Sequence, residues 1–185
     1  MQQQVYRRRL QQGTHARFGR APRNPRGQQA GLLLHQHRSA VFRQFQYRGG
    51  AWNNLEAFVD AQVCADTTYI VVGTYFKPFT DAYGQSCSPA KISFGGRNDV
   101  TRPSMFYYLI LRTKSGSTRK SVRDCRADEL KCAAFVLRHN MEKGHKPQAK
   151  DMMKVSDLEA LTGFQFFANV PNAPKSSYNP SDWGL

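Results

Sequence analysis

The sequence predicts an α/β (α+β) fold in which helices pack against a central, antiparallel-rich sheet. Three segments rich in β-branched and aromatic residues are typical of strands: "TTYIVVGTYF" (67–76), "MFYYLILR" (105–112) and "LKCAAFVLRHN" (130–140). Two further segments, 51–65 and 155–163, have the pattern of helices. A chain of 185 residues is long enough for about one domain with a single core.

The predicted first helix lies in "AWNNLEAFVDAQVCA" (51–65). Its apolar residues recur at near-helical spacing, which predicts a helix. These residues are Trp52, Leu55, Ala57, Phe58 and Val59.

The predicted strands differ in their patterns. "TTYIVVGTYF", which contains Gly73, is expected to be a buried strand. "LKCAAFVLRHN" should place Ala133, Phe135 and Leu137 on one side, because side chains alternate along a strand. The polar "EKGHKPQAKD" that follows predicts a connection.

The second predicted helix lies in "VSDLEALTGFQFF" (155–167). Ser156 is the expected N-cap, and Glu159 three residues later would complete a capping box. Gly163 should end the helix in a left-handed conformation. The Pro- and Asn-rich tail "PNAPKSSYNPSDWGL" predicts a loop.

The composition changes abruptly near residue 50. The first 50 residues contain ten Arg, ten Gln and no Lys, Asp or Glu, and Glu56 is the first acid in the chain. Most of the net charge of +14 therefore belongs to this block. Such charge favours a polyanionic partner. Residues 1–48 show no sustained periodicity and are expected to lack regular structure and a packed core.

Three segments together resemble the DNA/RNA non-specific endonucleases, which are secreted nucleases with a ββα-metal active site. They are "GAWNNLE", "YIVVGTYF" and "VSDLEALTGFQFF", in that order and spacing. The resemblance covers residues 49–170. It implies that residues 49–185 are the C-terminal part of a nuclease domain whose N-terminal part is incomplete. It also implies hydrolysis of phosphodiester bonds in DNA and RNA without sequence specificity, with Mg²⁺ or another divalent cation.

The resemblance clearly assigns a catalytic role to one residue of this chain. Glu56 matches the helix glutamate that orients metal-bound water in the family. The family also needs a Gly-His motif upstream, whose His is the general base, and an Asn four residues before the Trp to hold the ion. Here Arg48 occupies the Asn position and cannot ligate a cation.

Two histidines are candidates for the missing general base, but neither fits the family's motif. His15 lies at about the right distance before Trp52 but lacks the motif's neighbours, so it is expected to be a solvated histidine rather than a true base. "EKGH" (142–145) has the right letters but follows the helix and strands instead of preceding them. The sequence thus predicts an inactive chain.

A shifted reading frame would explain the composition. Reading the codons of "RLQQGTHARFGRAPR" one base later permits "DYNKGHM". The same shift permits "FYYTNIAPQ" from "LLLHQHRSA", and "FNT" followed by Gly from "FQY". These match the family's K-G-H, T-N-I-x-P-Q and F-N-T-G segments in order. Residues from about 8 to 48 are therefore interpreted as an out-of-frame translation.

Another class of function stays open. The arginines of residues 1–48 could form a genuine basic arm, which would make the protein a non-catalytic nucleic-acid-binding protein. The four cysteines, Cys64, Cys87, Cys125 and Cys132, show no metal-binding spacing. Two disulfides and four buried thiols are equally compatible with the sequence.

The family is secreted or periplasmic, whereas the first residues of this chain, "MQQQVYRRRL", precede no apolar segment of a signal peptide. The chain as written is therefore expected to be cytoplasmic. No run approaches the ~18 apolar residues that a membrane span requires.

Overall fold

The computed structural model describes Phe45 and residues 48–94 and 97–185. The helices and strands in this part, in chain order, are α1 (Ala51–Ala61), β1 (Tyr69–Tyr75), β2 (Phe79–Thr80), β3 (Ser86–Cys87), β4 (Ala90–Phe94), β5 (Arg97–Arg102), β6 (Met105–Thr113), β7 (Leu130–Arg138), β8 (Met152–Met153) and α2 (Val155–Thr162). No helix in the described ranges is long and apolar enough to cross a membrane.

The central sheet is antiparallel and four-stranded, with the order β1-β6-β7-β8. β6 and β7 pair over nine residues, from Met105 opposite Arg138 to Thr113 opposite Leu130. Two small hairpins, β2-β3 and β4-β5, lie between β1 and β6 in the chain. The predicted α+β fold with an antiparallel-rich sheet is confirmed.

Both central strands are buried on two faces. Alternate residues of β6 and β7 point to opposite sides, and each side is covered by one helix. The α1 side contains Trp52 and Leu55 packed with strand residues Phe106, Ile110, Ala133, Phe135 and Leu137. The predicted grouping of Ala133, Phe135 and Leu137 is confirmed. The α2 side contains Val155 and Leu158 packed with strand residues Tyr107, Leu109, Leu111, Cys132, Ala134 and Val136.

The prediction that the first strand is buried was wrong. In β1 only Val71 is buried, and Val72 is 47% exposed. β1 is an edge of the sheet within the described residues, and the helices pack mainly over β6 and β7. The apolar residues of β1 are therefore those of an edge strand that is only partly buried. Gly73 is required for packing, since a Cβ at this position would lie 2.2 Å from the ring of Tyr107.

The predicted capping box of the second helix was also wrong. α2 begins at Val155 with Lys154 as N-cap and has no side-chain cap. Ser156 is the second residue of the helix, and its backbone N–H donates to Lys175 O at 3.0 Å. Glu159 instead accepts hydrogen bonds from Phe166 N (2.7 Å) and Lys175 Nζ (2.9 Å), which fixes the segments that follow.

The end of α2 agrees with the prediction, because Gly163 adopts a left-handed conformation with φ 75°. The tail differs from the predicted loop. It contains a short 3-10 helix, Pro180–Trp183, whose Trp183 is 3% exposed and lies 5.8 Å from the ring of Phe135.

The four cysteines are free thiols, so the alternative of two disulfides does not hold. Cys87, Cys125 and Cys132 are buried. Burial raises the pKa of Cys125 and raises that of Cys132 to about 12, which keeps both protonated and poorly reactive.

Asp66 anchors the loop after β6. Its carboxylate is 7% exposed and accepts hydrogen bonds from Thr113 Oγ1 (2.5 Å), Thr118 Oγ1 (2.7 Å), Thr118 N and Arg119 N (both 2.8 Å). Burial by itself would raise the pKa of Asp66, but these hydrogen bonds outweigh it and lower the pKa to about 2. The bond to Arg119 N also holds that residue at φ 60°.

We expect Asp66→Asn to lower the free energy of unfolding at neutral pH by about 3 kcal/mol, because several donors lose a charged acceptor. The folded-state pKa lies below the ordinary value of 3.8, so the unfolded chain binds protons first. The stabilisation by Asp66 should therefore be complete above about pH 5 and disappear towards about pH 2. Urea denaturation of both proteins across this range measures the difference.

Asp124→Asn is the matched control, since Asp124 is exposed. It should change stability little at any pH. A difference between the parent and Asp66→Asn that stays constant down to about pH 2 would contradict the role of the ionised carboxylate.

Candidate active site

Glu56 lies in the middle of α1, one turn after Trp52. Residues four apart lie on the same side of a helix, and here the indole Nε1 of Trp52 donates a hydrogen bond to Glu56 Oε1 at 3.0 Å. Glu56 is half-buried. The helix thus presents a carboxylate whose direction is set by a neighbouring ring.

The environment of Glu56 favours its protonated form. Burial raises its pKa most strongly, and the nearby negative charge of Asp60 adds to the effect, whereas the hydrogen bond from Trp52 lowers it. The net result is a pKa above the ordinary value. Such a carboxyl can accept hydrogen bonds from water when ionised and exchanges a proton closer to neutral pH than an exposed glutamate.

An aromatic cluster holds the ring of Trp52. The indole stacks on Tyr108 with a centroid distance of 4.7 Å, and it lies 5.2 Å from Phe106 and 5.9 Å from Phe45. Trp52 is 5% exposed and Phe45 is fully buried. Phe45 lies within the segment predicted to lack a packed core, so this prediction fails at that residue. The other residues before Arg48 lie outside the described residues.

The start of α1 carries a positive charge. Gly50 is the N-cap and provides no side-chain cap, and Gly49 N donates to Asn53 Oδ1 at 3.2 Å. Arg48, four residues before Trp52, is exposed. A guanidinium has no lone pair for a cation. The sequence-predicted His15 lies outside the described residues.

The ligand position that the resemblance implies does not fit a divalent metal ion. Mg²⁺ is held by oxygen ligands, usually carboxylates and water. Within the described ranges no group of three or more His, Cys, Asp or Glu side chains could hold a metal ion. Glu56 has the right chemistry as a single carboxylate, but Arg48 stands where the resemblance requires a ligand.

The segment "EKGH" comes after β7 in the chain, yet it lies beside α1 in the structure. It lies against the first turn of α1: Gly144 N donates to Gly49 O, and Asn54 Nδ2 donates to His145 O, both at 2.8 Å. Asn54 and Glu56 are two residues apart and therefore point roughly 200° away from each other around the helix. His145 lies on the Asn54 side, away from Glu56.

A polar network that the sequence did not predict fixes this segment. His145 Nε2 lies 2.8 Å from Asp151 Oδ2, and Tyr83 donates to the other oxygen of Asp151 at 3.2 Å. Arg138 binds Asp81 at 2.7 Å and Glu142 at 2.9 Å. The partners come from distant parts of the chain, and no local motif marks them. Together they hold the connection between β7 and β8 against α1.

We expect Trp52→Phe to raise the pKa of Glu56 further. The substitution keeps an aromatic ring but removes the N–H donor, which is the group that lowers this pKa. Loss of the hydrogen bond should also cost about 1 kcal/mol of stability, before any cost of the smaller ring. Carboxyl chemical shifts recorded by NMR during a pH titration measure the pKa.

Tyr108→Phe is the control, because it preserves both the stacked ring and the indole N–H. The pKa of Glu56 should change less in this variant than in Trp52→Phe. An unchanged or lowered pKa of Glu56 in Trp52→Phe would show that the hydrogen bond does not hold the carboxylate.

The comparisons with known proteins agree with the resemblance seen in the sequence. The family model for DNA/RNA non-specific endonucleases matches residues 41–173, which begins before the predicted boundary at 49 and includes Phe45. A solved structure of the EndoG/EndoGI complex, concerned with the mechanism of EndoG inhibition, is similar with 23% sequence identity and a TM-score of 0.45. The match covers 65% of this chain and 44% of that chain, so this chain spans less than half of its length. No curated protein matched the sequence. Because the family model matches well over half of its residues, the chain belongs to the DNA/RNA non-specific endonuclease family.

Proposed function

We propose that this chain is the C-terminal part of an endonuclease that hydrolyses phosphodiester bonds in DNA and RNA without sequence specificity, and that it is inactive as it stands. The observation that carries the proposal is the pair Trp52–Glu56 on α1, joined by a 3.0 Å hydrogen bond inside the region that matches the family. Among the residues with a catalytic role by resemblance, Glu56 is the one that the described part retains.

The inactivity follows from the residues at the start of α1. The family is expected to use Mg²⁺ or another divalent cation, yet Arg48 stands at the ligand position and its guanidinium cannot ligate such an ion. His15 lacks the neighbours of a general base. No hydrolytic step can therefore be assigned to the side chains in the described part of the chain.

A shifted reading frame accounts for the missing parts. Residues from about 8 to 48 would be an out-of-frame translation of the segment that carries the base and the metal ligand. The shifted frame permits Phe at position 45 as well, as in the "FNT" segment. This agrees with the burial of Phe45 against Trp52, since the core would keep the same side chain in either frame.

The second candidate is a non-catalytic nucleic-acid-binding protein. The ten arginines and no acids among the first 50 residues favour it, because phosphate neutralisation by Lys and Arg drives binding without sequence preference. This candidate explains the charge of the N-terminal block but gives no reason for the retained Trp52–Glu56 pair.

We expect the purified chain to show no metal-dependent nicking of plasmid DNA above the background of a mock preparation. Loss of a general base alone costs about 10²–10⁴ in rate, and here a metal ligand is lost as well. Nicking with Mg²⁺ that Glu56→Ala abolishes would contradict the proposed inactivity. The parent and Glu56→Ala should instead be indistinguishable.

Repair of the frame tests the origin of the defect. A single-base insertion or deletion upstream of codon 51 should restore a K-G-H motif and an Asn before Trp52. We expect the repaired chain, supplied with any N-terminal strands it still lacks, to gain a sharper unfolding transition and metal-dependent cleavage that Glu56→Ala removes. If repair changes neither stability nor cleavage, the nucleic-acid-binding candidate replaces the nuclease.

A further inference from the structure

The connection between β7 and β8 displays three lysines to solvent. Lys143, Lys146 and Lys150 are all exposed, and the segment that carries them is held by the polar network around His145. The catalytic residue carried over from the family does not lie in this segment. The lysines are therefore available for another role.

One backbone contact brings the segment of Lys143 to the start of α1. Gly144 N donates to Gly49 O at 2.8 Å, and Lys143 and Arg48 each directly precede one of these glycines. The backbone that carries Lys143 therefore lies next to the backbone that carries Arg48. Arg48 is also exposed.

The His145–Asp151 contact groups the other two lysines. Lys146 follows His145, Lys150 precedes Asp151, and the two bonded side chains are 2.8 Å apart. Lys150 Nζ lies 5.4 Å from the centre of the Tyr83 ring, which holds it at the surface of the same network. Arg48 and the three exposed lysines thus lie on two chain segments that meet next to the start of α1.

The acids of this region are already bound. Asp151 is 1% exposed and accepts hydrogen bonds from Gln148 N and Tyr83 besides its contact with His145. Asp81 and Glu142 both bind Arg138. Arg48, Arg138 and the three lysines together outnumber these three carboxylates, so the region keeps a net positive charge.

We propose that Arg48, Lys143, Lys146 and Lys150, here called the basic surface, bind the phosphodiester backbone of nucleic acid. The surface lies on the Asn54 side of α1, away from Glu56, so it holds the polymer beside the helix rather than at the carboxylate. Contacts to phosphates carry no base information, which agrees with recognition that ignores sequence. The proposal rests on the proposed function for the identity of the polyanion, but it requires no cleavage.

The test is binding of a fluorescein-labelled DNA duplex to the full chain, followed by anisotropy at several salt concentrations in EDTA. Each phosphate contact contributes about 0.9 to the slope of log K against log salt. The variant Lys143→Gln/Lys146→Gln/Lys150→Gln should lower the slope by about 2 to 3 and weaken binding at low salt by at least about tenfold. Lys150→Gln alone should lower the slope by about 1.

The matched control is Lys114→Gln/Lys120→Gln/Arg123→Gln, which removes the same charge from exposed positions after β6. It should change the slope by less than half as much as the first triple variant. An equal change would show that binding follows net charge, and an unchanged slope in the first variant would show that the lysines do not contact phosphate; either result overturns the proposal.

Thermal unfolding of each variant verifies that the substitutions leave the fold intact. If the triple variant unfolds at a lower temperature than the parent, the salt dependence of the single variant Lys150→Gln is used instead. Failure of the proposed function is seen separately. It would appear in the nicking assay with Mg²⁺, whereas the binding assay excludes the metal.

Discussion

The pairing of β6 with β7 is the interaction on which the rest of this structure depends. Nine residue pairs join the two strands, and their side chains are almost completely buried on both faces. Each face of this ribbon therefore needs a cover, and α1 and α2 provide it. Burial of a large apolar side chain stabilises the fold by about 1.5–3 kcal/mol. The side chains of these two strands therefore contribute a large part of the stability of the core.

α1 is held at both of its ends, and this is what gives Glu56 a defined position. At its start, the ring of Trp52 packs on Tyr108, and the side chain of Asn54 donates a hydrogen bond to His145 O. At its end, the buried guanidinium of Arg112 donates to Gln62 O. A cation at this end of a helix also complements its dipole.

The buried charges constrain the fold as much as they stabilise it. Arg138 and Asp81 are nearly inaccessible, and their contact joins the end of β7 to the hairpin region before β3. A buried ion pair contributes little net stability against an apolar replacement, but removal of one partner is costly. The connection after β7 therefore has one favoured position beside α1. Its exposed lysines are held in place by the same contacts.

The sequence by itself determined the family, three of the four strands of the central sheet and the helix that carries Glu56, because these depend on local periodicity and on motifs read in order. Trp52 and Glu56, four residues apart, already implied a shared helix side. Tertiary structure decided what local patterns cannot express. Val72 looks like a core residue in the sequence, yet it lies exposed on an edge strand. Ser156 looks like a cap, yet its N–H is bound by Lys175. His145 reaches the start of α1 only through contacts with residues far away in the chain, and packing of distant segments is the physical reason that neither its position nor the basic surface could be predicted.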